Sequence, residues 1–242
     1  MKSIIVIPAR MNSQRFPGKP LKKILGKPMI AHVIDKAKKS NAGPVLVACC
    51  DQEIANFAKE YKTEYVMTDP EFNSGTDRVY AAISEYDKKK YYDLVINLQS
   101  DIPGIESKSI KILFNLAKTR QSDIATLASL IRNKKLINDP NVVKVVISKK
   151  GESIYFSRSK IPYGSSSFYE HIGIYAFKRS ILENFVKLGP SMLETTEKLE
   201  QLRALEEGIK IDIALINKAP VGIDTPNDID ILMNELKLGD KI

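Results

Sequence analysis

At 242 residues, with 43 % hydrophobic and 27 % charged residues, the chain has an ordinary globular balance and can bury a sizeable core without disulfides or a structural metal. The two cysteines, Cys49 and Cys50, are adjacent and exclude a disulfide framework; no apolar stretch reaches the roughly 20 residues that span a bilayer, and Ile4 to Ile7 before Pro8 is too short for a signal-peptide core, so a cytoplasmic protein is expected. The net charge of +8 is carried by scattered lysines such as Lys38-Lys39 and Lys134-Lys135, not by a basic block interleaved with aromatics, so neither nucleic acid nor a membrane surface is expected as a partner.

The first half alternates β-branched runs with amphipathic segments. The pattern predicts strands at Ser3 to Ile7, Val45 to Cys49, Glu64 to Met67 and Leu94 to Leu98. Between them it predicts helices at Met29 to Lys39, Gln52 to Tyr61, Thr76 to Tyr86 and Ser107 to Thr119. This βαβα rhythm implies a mostly parallel central sheet with helices on both faces, an α/β fold in three layers. From about Asp123 the rhythm changes. Ile124 to Leu130, Val142 to Ser148, Ile154 to Ser157 and Gly173 to Phe177 read as strands without long helices between them, a mixed-strand extension. Ile181 to Lys187 and Leu193 to Glu207 read as helices, the second closed by Gly208, and Ile211 to Ile216 as a returning strand. Pro226 opens a last helix, with Thr225 before it as N-cap. Without repeats or a low-complexity linker, residues 1–242 read as a single domain, with an extension at about 124–180.

Two constellations carry chemistry. The loop after the first strand runs Pro8-Ala9-Arg10-Met11-Asn12-Ser13-Gln14-Arg15-Phe16-Pro17-Gly18-Lys19-Pro20-Leu21. In an open α/β sheet, ligands bind at the carboxyl ends of the strands. Arg10, Ser13, Arg15 and Lys19 offer directional donors and point charges that suit a triphosphate, although an exposed basic loop would look the same locally. The loop is neither a Walker A nor a Rossmann motif. Arginine is scarce: eight of 37 basic residues, five of which (Arg10, Arg15, Arg78, Arg158, Arg203) fall inside motifs. Such sparing use points to planar, bidentate recognition of phosphate or carboxylate, chance clustering being the alternative.

The second constellation is a pair of carboxylates. Asp101 follows an apolar strand in Leu98-Gln99-Ser100-Asp101-Ile102-Pro103, and Asp224 another in Val221-Gly222-Ile223-Asp224-Thr225-Pro226. Taken singly, each is equally a turn or N-cap residue. Beside a cationic loop, the pair suits a magnesium–triphosphate site, which uses one or two protein carboxylates.

These segments together resemble the 3-deoxy-manno-octulosonate (Kdo) cytidylyltransferase, or CMP-Kdo synthetase, family. The likeness runs through Ile7-Pro8-Ala9-Arg10, Pro17-Gly18-Lys19-Pro20-Leu21, Ser74-Gly75-Thr76-Asp77-Arg78 and Gln99-x-Asp101-x-Pro103. It continues through Asn141-Val142-Val143-Lys144, Phe156-Ser157-Arg158, His171-x-Gly173-Ile174-Tyr175, Leu199-Glu200-Gln201-Leu202-Arg203 and Gly222-x-Asp224-Thr225-Pro226, nearly the whole chain. The resemblance implies a nucleotidyltransferase-type fold and transfer of CMP from CTP to Kdo, with release of pyrophosphate, for lipopolysaccharide synthesis. It also implies Mg2+ as cofactor and a homodimer. Ala9, Arg10, Ser13, Arg15, Lys19, Arg78 and Gln99 are implied to bind the nucleotide. Asp101 and Asp224 are implied to bind the metal, and Lys19, Arg15 and Asp101 to form the catalytic set. Arg158, His171, Tyr175, Glu200 and Gln201 are implied to bind the sugar acid; His32 reads as helix packing. Another acid sugar (8-amino Kdo or a nonulosonate) or a non-catalytic nucleotide-binding homologue are the alternatives. Three departures stand out. Ser100 and Ile102 replace the family's usual Gly and Glu, and Tyr163 to Glu170 is short.

Overall fold

The structure, a computed structural model, describes residues 1–12, 15–72 and 74–239, with residues 235–239 described through the backbone alone. In chain order the elements are β1 (Ser3–Ala9), a 3-10 turn (Lys19–Leu21), a short hairpin of β2 (Lys23–Ile24) and β3 (Lys27–Pro28), α1 (Met29–Ser40), β4 (Val45–Cys49), α2 (Gln52–Glu60), β5 (Glu64–Met67), α3 (Gly75–Tyr86) and β6 (Leu94–Asn97). Then follow α4 (Ser107–Arg120), β7 (Ile124–Leu130), β8 (Lys144–Ile147), β9 (Ser153–Ser157), β10 (Tyr169–Lys178), α5 (Arg179–Phe185), α6 (Met192–Glu197), α7 (Leu202–Glu206), β11 (Ile211–Ile216) and α8 (Pro226–Gly239). The fold is mixed α/β, a mostly parallel sheet with antiparallel parts, as the sequence rhythm predicts. The chain forms two compact units.

The first unit comprises Ser3–Tyr91, Asn97–Ile110 and Pro220–Ile242. β4 lies parallel between β1 and β5, with Ile7 opposite Val47 and Cys49 opposite Met67. Ile4 to Ile7 are at most 1 % exposed, the continuous apolar run expected of a parallel strand covered on both faces. On α1, Met29, Ile30, Val33, Ile34 and Ala37 recur at helical spacing and are all buried. Asn41 closes that helix in the left-handed region, which Asn enters more readily than most residues. Ser74 caps α3, its side chain accepting from the Asp77 N–H. A separate apolar cluster of Phe16, Ile24, Met29, Ile223 and Leu232 joins the loop after β1 to the segment that enters α8. That packing brings the two candidate constellations together.

The second unit comprises Met1–Lys2, Tyr92–Ile96 and Lys111–Ala219. β11 runs parallel to β7 and β10 antiparallel to it, while β8 pairs antiparallel with both β10 and β9. β10 is longer than the sequence pattern suggests because Tyr169 and Glu170 pair with β7 and β8 at once. The predicted helix over Leu193 to Glu207 is instead two short helices. Ser191 and Glu194 form a capping box on α6, and Lys198 adopts φ 55, which ends it. Arg203 then ties α7 back to α6 through a two-pronged bond to Glu194 at 2.8 and 2.6 Å. Gly208 follows α7 at φ 70, where a glycine carries no Cβ penalty.

Candidate functional site

In the first unit the chain leaves β1 at Ala9, which is buried, and Arg10, which is exposed. The loop is anchored at both ends: the Met11 N–H donates to Asp51 Oδ2 at 2.8 Å, and the Gly18 N–H to the Met11 carbonyl at 2.9 Å. Gly18 sits at φ 70 and opens the 3-10 turn that carries Lys19. Ser13 lies outside the described residues.

Lys19 is the hub. Its Nζ donates to Asp101 Oδ2 at 2.8 Å and to the Ile223 carbonyl at 2.9 Å, and lies 3.8 Å from Asp224 Oδ1. Arg15 Nη2 reaches the same Asp224 oxygen at 3.0 Å. The backbone is stitched too, since the Ile223 N–H donates to the Asp101 carbonyl at 2.8 Å. Asp224 is held from behind. Asp228 accepts the N–H groups of Asp224 and Thr225 at 2.9 and 2.7 Å, together with the Thr225 hydroxyl. Thr225, expected to cap α8 with its own oxygen, thus donates to a first-turn acid instead. Burial works against that acid, yet the N–H bonds from Thr225 and Asp224 hold the Asp228 carboxyl below its ordinary range.

Two carboxylates on one ammonium lie close enough to share a cation, and both are hard oxygen donors of the kind magnesium takes one or two at a time. The donor set therefore fits Mg2+ completed by phosphate oxygens and water. Among the described residues no group of three or more His, Cys, Asp or Glu could hold a metal by themselves. Ser100 adopts no positive φ, so serine is at ease where the family's usual residue is glycine.

Arg78 and Gln99 lie in the same unit. Arg78 is only 2 % exposed. Its Nη1 donates to the Thr68 hydroxyl at 2.5 Å and the Asp69 carbonyl at 3.2 Å, and its guanidinium lies 6.0 Å from the Phe72 ring centre. Among the described residues its Nη2 is buried without a hydrogen-bond partner, a donor poised for a polar ligand atom. Gln99 donates to Asn97 Oδ1 at 2.8 Å. Burial pushes the Cys49 thiol up to about 12 and raises Cys50 as well, which removes both as nucleophiles at neutral pH.

The sugar-acid candidates all lie in the second unit. β10 bulges between Ile172 and Tyr175, and the Thr126 hydroxyl closes the bulge, 3.1 Å from the Ile172 carbonyl and 2.8 Å from that of Ile174. Those carbonyls take the hydroxyl proton. His171 Nε2, 3.1 Å away, must then donate to the Thr126 oxygen, which leaves Nδ1 as an acceptor. Burial drives the imidazole down to about 3, so the ring is neutral. His171 continues an aromatic row, with ring centres 4.8 Å from Phe156 and 5.5 Å from Tyr175, and Tyr175 lies 5.7 Å from Phe177. Burial, and secondarily the Glu200 carboxylate, hold the Tyr175 phenol well above its ordinary value. A small cavity is lined by Tyr175, Glu200 and Gln201 with Ile124, Phe177 and Phe185, and the Gln201 amide nitrogen is buried without a hydrogen-bond partner among the described residues.

Arg158 is engaged. Its Nε, Nη1 and Nη2 donate to the carbonyls of Glu197, Pro140 and Lys198 at 2.9, 2.9 and 3.2 Å. The break between α6 and α7 is what frees two of those carbonyls. Among the described residues three of the five guanidinium N–H groups are thus committed and two are not. Lys144, Glu197, Thr126, Asp51 and Asp228 are supporting residues that sequence reasoning missed. Thr126 gave a signal, as one of two hydroxyls, with Ser129, in an otherwise apolar strand.

A family model described as cytidylyltransferase matches residues 4–211. A 3-deoxy-manno-octulosonate cytidylyltransferase of Paramagnetospirillum magneticum is 43 % identical over 232 residues, covering 94 % of both chains. One from Bartonella bacilliformis is 42 % identical over 95 % of this chain and 96 % of its own. Among solved structures, that of CMP:2-keto-3-deoxy-manno-octonic acid synthetase complexed with CTP superposes with a TM-score of 0.91 at 36 % identity, over 99 % of this chain and all of that one. A cytidylyltransferase from Leptospira borgpetersenii, 18 % identical with a TM-score of 0.64 over all of this chain and 96 % of that one, shares the fold.

Proposed function

The chain belongs to the 3-deoxy-manno-octulosonate cytidylyltransferase family, and from that premise we propose how its residues divide the work of that reaction. The enzyme transfers CMP from CTP to Kdo and releases pyrophosphate. The observation that carries the division of roles is Lys19, whose ammonium holds Asp101 and lies beside Asp224 at the foot of an arginine-bearing loop.

Arg10, Ser13, Arg15 and Lys19 bind the triphosphate, Arg78 and Gln99 bind the base and ribose, and Ala9 belongs to the nucleotide site; the Nη2 of Arg78, buried and unpartnered among the described residues, supports its place there. Asp101 and Asp224 hold magnesium, which when bound polarises the α-phosphate and favours loss of the attacking hydroxyl's proton. The anomeric oxygen of the sugar acid forms a bond to the α-phosphorus as the bond to the bridging oxygen of pyrophosphate breaks. Arg15 and Lys19 offset the charge that gathers on the leaving pyrophosphate. Arg15 suits this because its pair with Asp224 is exposed, and such pairs, worth about 0–1 kcal/mol, exchange partners readily. No covalent intermediate is required; the protein's task is positioning and charge stabilisation.

In the second unit Arg158, His171, Tyr175, Glu200 and Gln201 bind the sugar acid, which needs a carboxylate partner and mixed donors and acceptors for its hydroxyls. A neutral His171 with a free Nδ1 and a protonated Tyr175 supply both kinds. The whole chain acts as one cytidylyltransferase domain, with the region at about 124–180 serving the sugar acid and a homodimer contact. The exposed Leu130, Ile154 and Tyr163 in that region support the latter. Two unpaired cysteines suit a cytoplasmic enzyme. Pyrophosphate release from CTP and Mg2+, compared across Kdo, 8-amino Kdo and a nonulosonate, tests the assignment. Release with another acid at far lower concentration than with Kdo would displace Kdo as the substrate.

A further inference from the structure

We infer that Lys144 is a positioning residue for the sugar-acid side of the site, acting through the main chain at Arg158. The inference rests on the reading that Arg158 and His171 serve the sugar acid. Lys144 is 0 % exposed, and lysine is almost never so deeply buried unless its ammonium is matched. Here the match is made by carbonyls. Its three donors meet the Asp139 carbonyl at 2.8 Å, that of Val142 at 2.6 Å and that of Arg158 at 2.5 Å. Burial pushes its pKa down, and the carboxylates of Asp139, Glu197 and Glu170 pull it part of the way back against Arg158.

The register explains why this ammonium matters beyond its own strand. Lys144 stands opposite Ser157, the last residue of β9, and Glu170 on β10, so the residues that follow these in the chain are Arg158 and His171. The His171 N–H donates to the carbonyl of Val143, the residue before Lys144, at 2.8 Å. From the other side, the Arg158 guanidinium returns to the same loop at the Pro140 carbonyl. Glu197 accepts the Arg158 N–H at 2.9 Å and the Ser157 hydroxyl at 2.6 Å. Lys144, the 139–142 loop and Arg158 thus form a closed ring, to which Glu197 is bonded through Arg158, and the ammonium ties three of its carbonyls together. Removing that charge takes a donor from all three inward-facing carbonyls, of which that of Asp139 keeps the Val142 N–H at 3.2 Å. They cannot all stay, and Arg158 moves with them.

The test uses the full-length enzyme with Lys144→Met, which keeps the stem and removes the ammonium, and Lys144→Arg, which keeps charge and donors. The half-saturating sugar-acid concentration should rise about tenfold or more in Lys144→Met, as displaced positioning groups do. CTP affinity by calorimetry should stay within about twofold, and Lys144→Arg should recover part of the loss. A folded Lys144→Met with unchanged sugar-acid saturation overturns the inference. So do equal losses toward both substrates, and so does failure of both variants to fold, which would make Lys144 a fold-holding residue only. Arg158→Ala and His171→Gln run in parallel separate the two levels. If those raise the sugar-acid requirement and Lys144→Met does not, only the inference falls. If neither of those does, the sugar-acid reading falls itself.

Discussion

Asp101 and Asp224 are joined through one ammonium: Lys19 Nζ lies 2.8 Å from the first and 3.8 Å from the second, and also holds the carbonyl of Ile223 between them. The Lys19 side chain is 12 % exposed while the carboxylates are 33 % and 50 % exposed, so the cation is the buried member and the acids face outward. Outward-facing carboxylates on a buried support suit the reception of a second, diffusible cation.

Asp101→Asn and Asp224→Asn should each abolish turnover, and the double variant should be scarcely worse than either single one, since both acids serve one ion. Thermal unfolding should move little, because partly exposed ion pairs contribute about 0–1 kcal/mol. Magnesium-dependent pyrophosphate release at the normal rate in either variant would remove that residue from the site.

Arg15→Ala should raise the CTP requirement and leave sugar-acid saturation close to normal. The side chain is 63 % exposed and supports no packing, so stability should be unaltered. A variant that binds CTP normally by calorimetry would show that the loop holds the triphosphate without Arg15.

Ile223 is fully buried in the cluster with Phe16, Ile24, Met29 and Leu232, and its carbonyl holds Lys19. Ile223→Ala should cost about 2–5 kcal/mol, as other buried Ile→Ala changes do. It should also weaken CTP more than sugar acid, because the cavity loosens the segment that carries Asp224. Destabilisation with CTP affinity intact would show that the cluster supports the fold without setting the site.

His171 gives a pH signature. Its folded pKa of about 3 lies below the ordinary 6.5, so the unfolded chain binds the extra proton between those values. The stability this residue contributes is complete above pH 6.5 and is lost progressively as pH falls toward 3. His171→Gln should therefore flatten that part of the melting-temperature profile, and the gap between wild type and variant should narrow with acidification. A gap constant from pH 7 to pH 4 would mean that the ring titrates normally in the folded protein.

Local signals account for what was legible in the sequence. β4 and β7 fall to the residue where the apolar runs predict them, because strands buried on both faces leave a continuous hydrophobic mark, and β5 and β11 do so although β5 and the end of β11 are partly exposed. Lys19, Asp101 and Asp224 were each marked by a strand end, but their meeting depends on the Phe16–Ile223 cluster, which no local pattern encodes. The 193–207 segment misled because its apolar spacing is helical throughout, while the break is set by Lys198 in the left-handed region and by Arg158 bonding the freed carbonyls. Lys144 stood in the motif Asn141-Val142-Val143-Lys144, but its role was hidden for a related reason. A lysine among valines reads as a solvent-facing alternation, and only tertiary structure shows three carbonyls converging on it.

Arg158 offers the sharpest test of how the sugar acid is held. With three N–H groups on backbone carbonyls, it has, among the described residues, two left for a carboxylate. Arg158→Ala should raise the sugar-acid requirement by about 2–4 kcal/mol, far more than the CTP requirement. It should also destabilise the fold by about 1–3 kcal/mol, because carbonyls lose their donors. Arg158→Lys should recover only part of each, since an ammonium replaces the charge but not the planar fork. A coupling measurement separates holding the ligand from holding the loop. In the wild type, an inhibitory sugar analogue whose carboxylate is replaced by a neutral group should bind more weakly than its acid parent; in Arg158→Ala that difference should nearly vanish. If the carboxylate is worth as much in the variant as in the wild type, Arg158 acts only through the carbonyls it holds, and the substrate's carboxylate is bound by another residue.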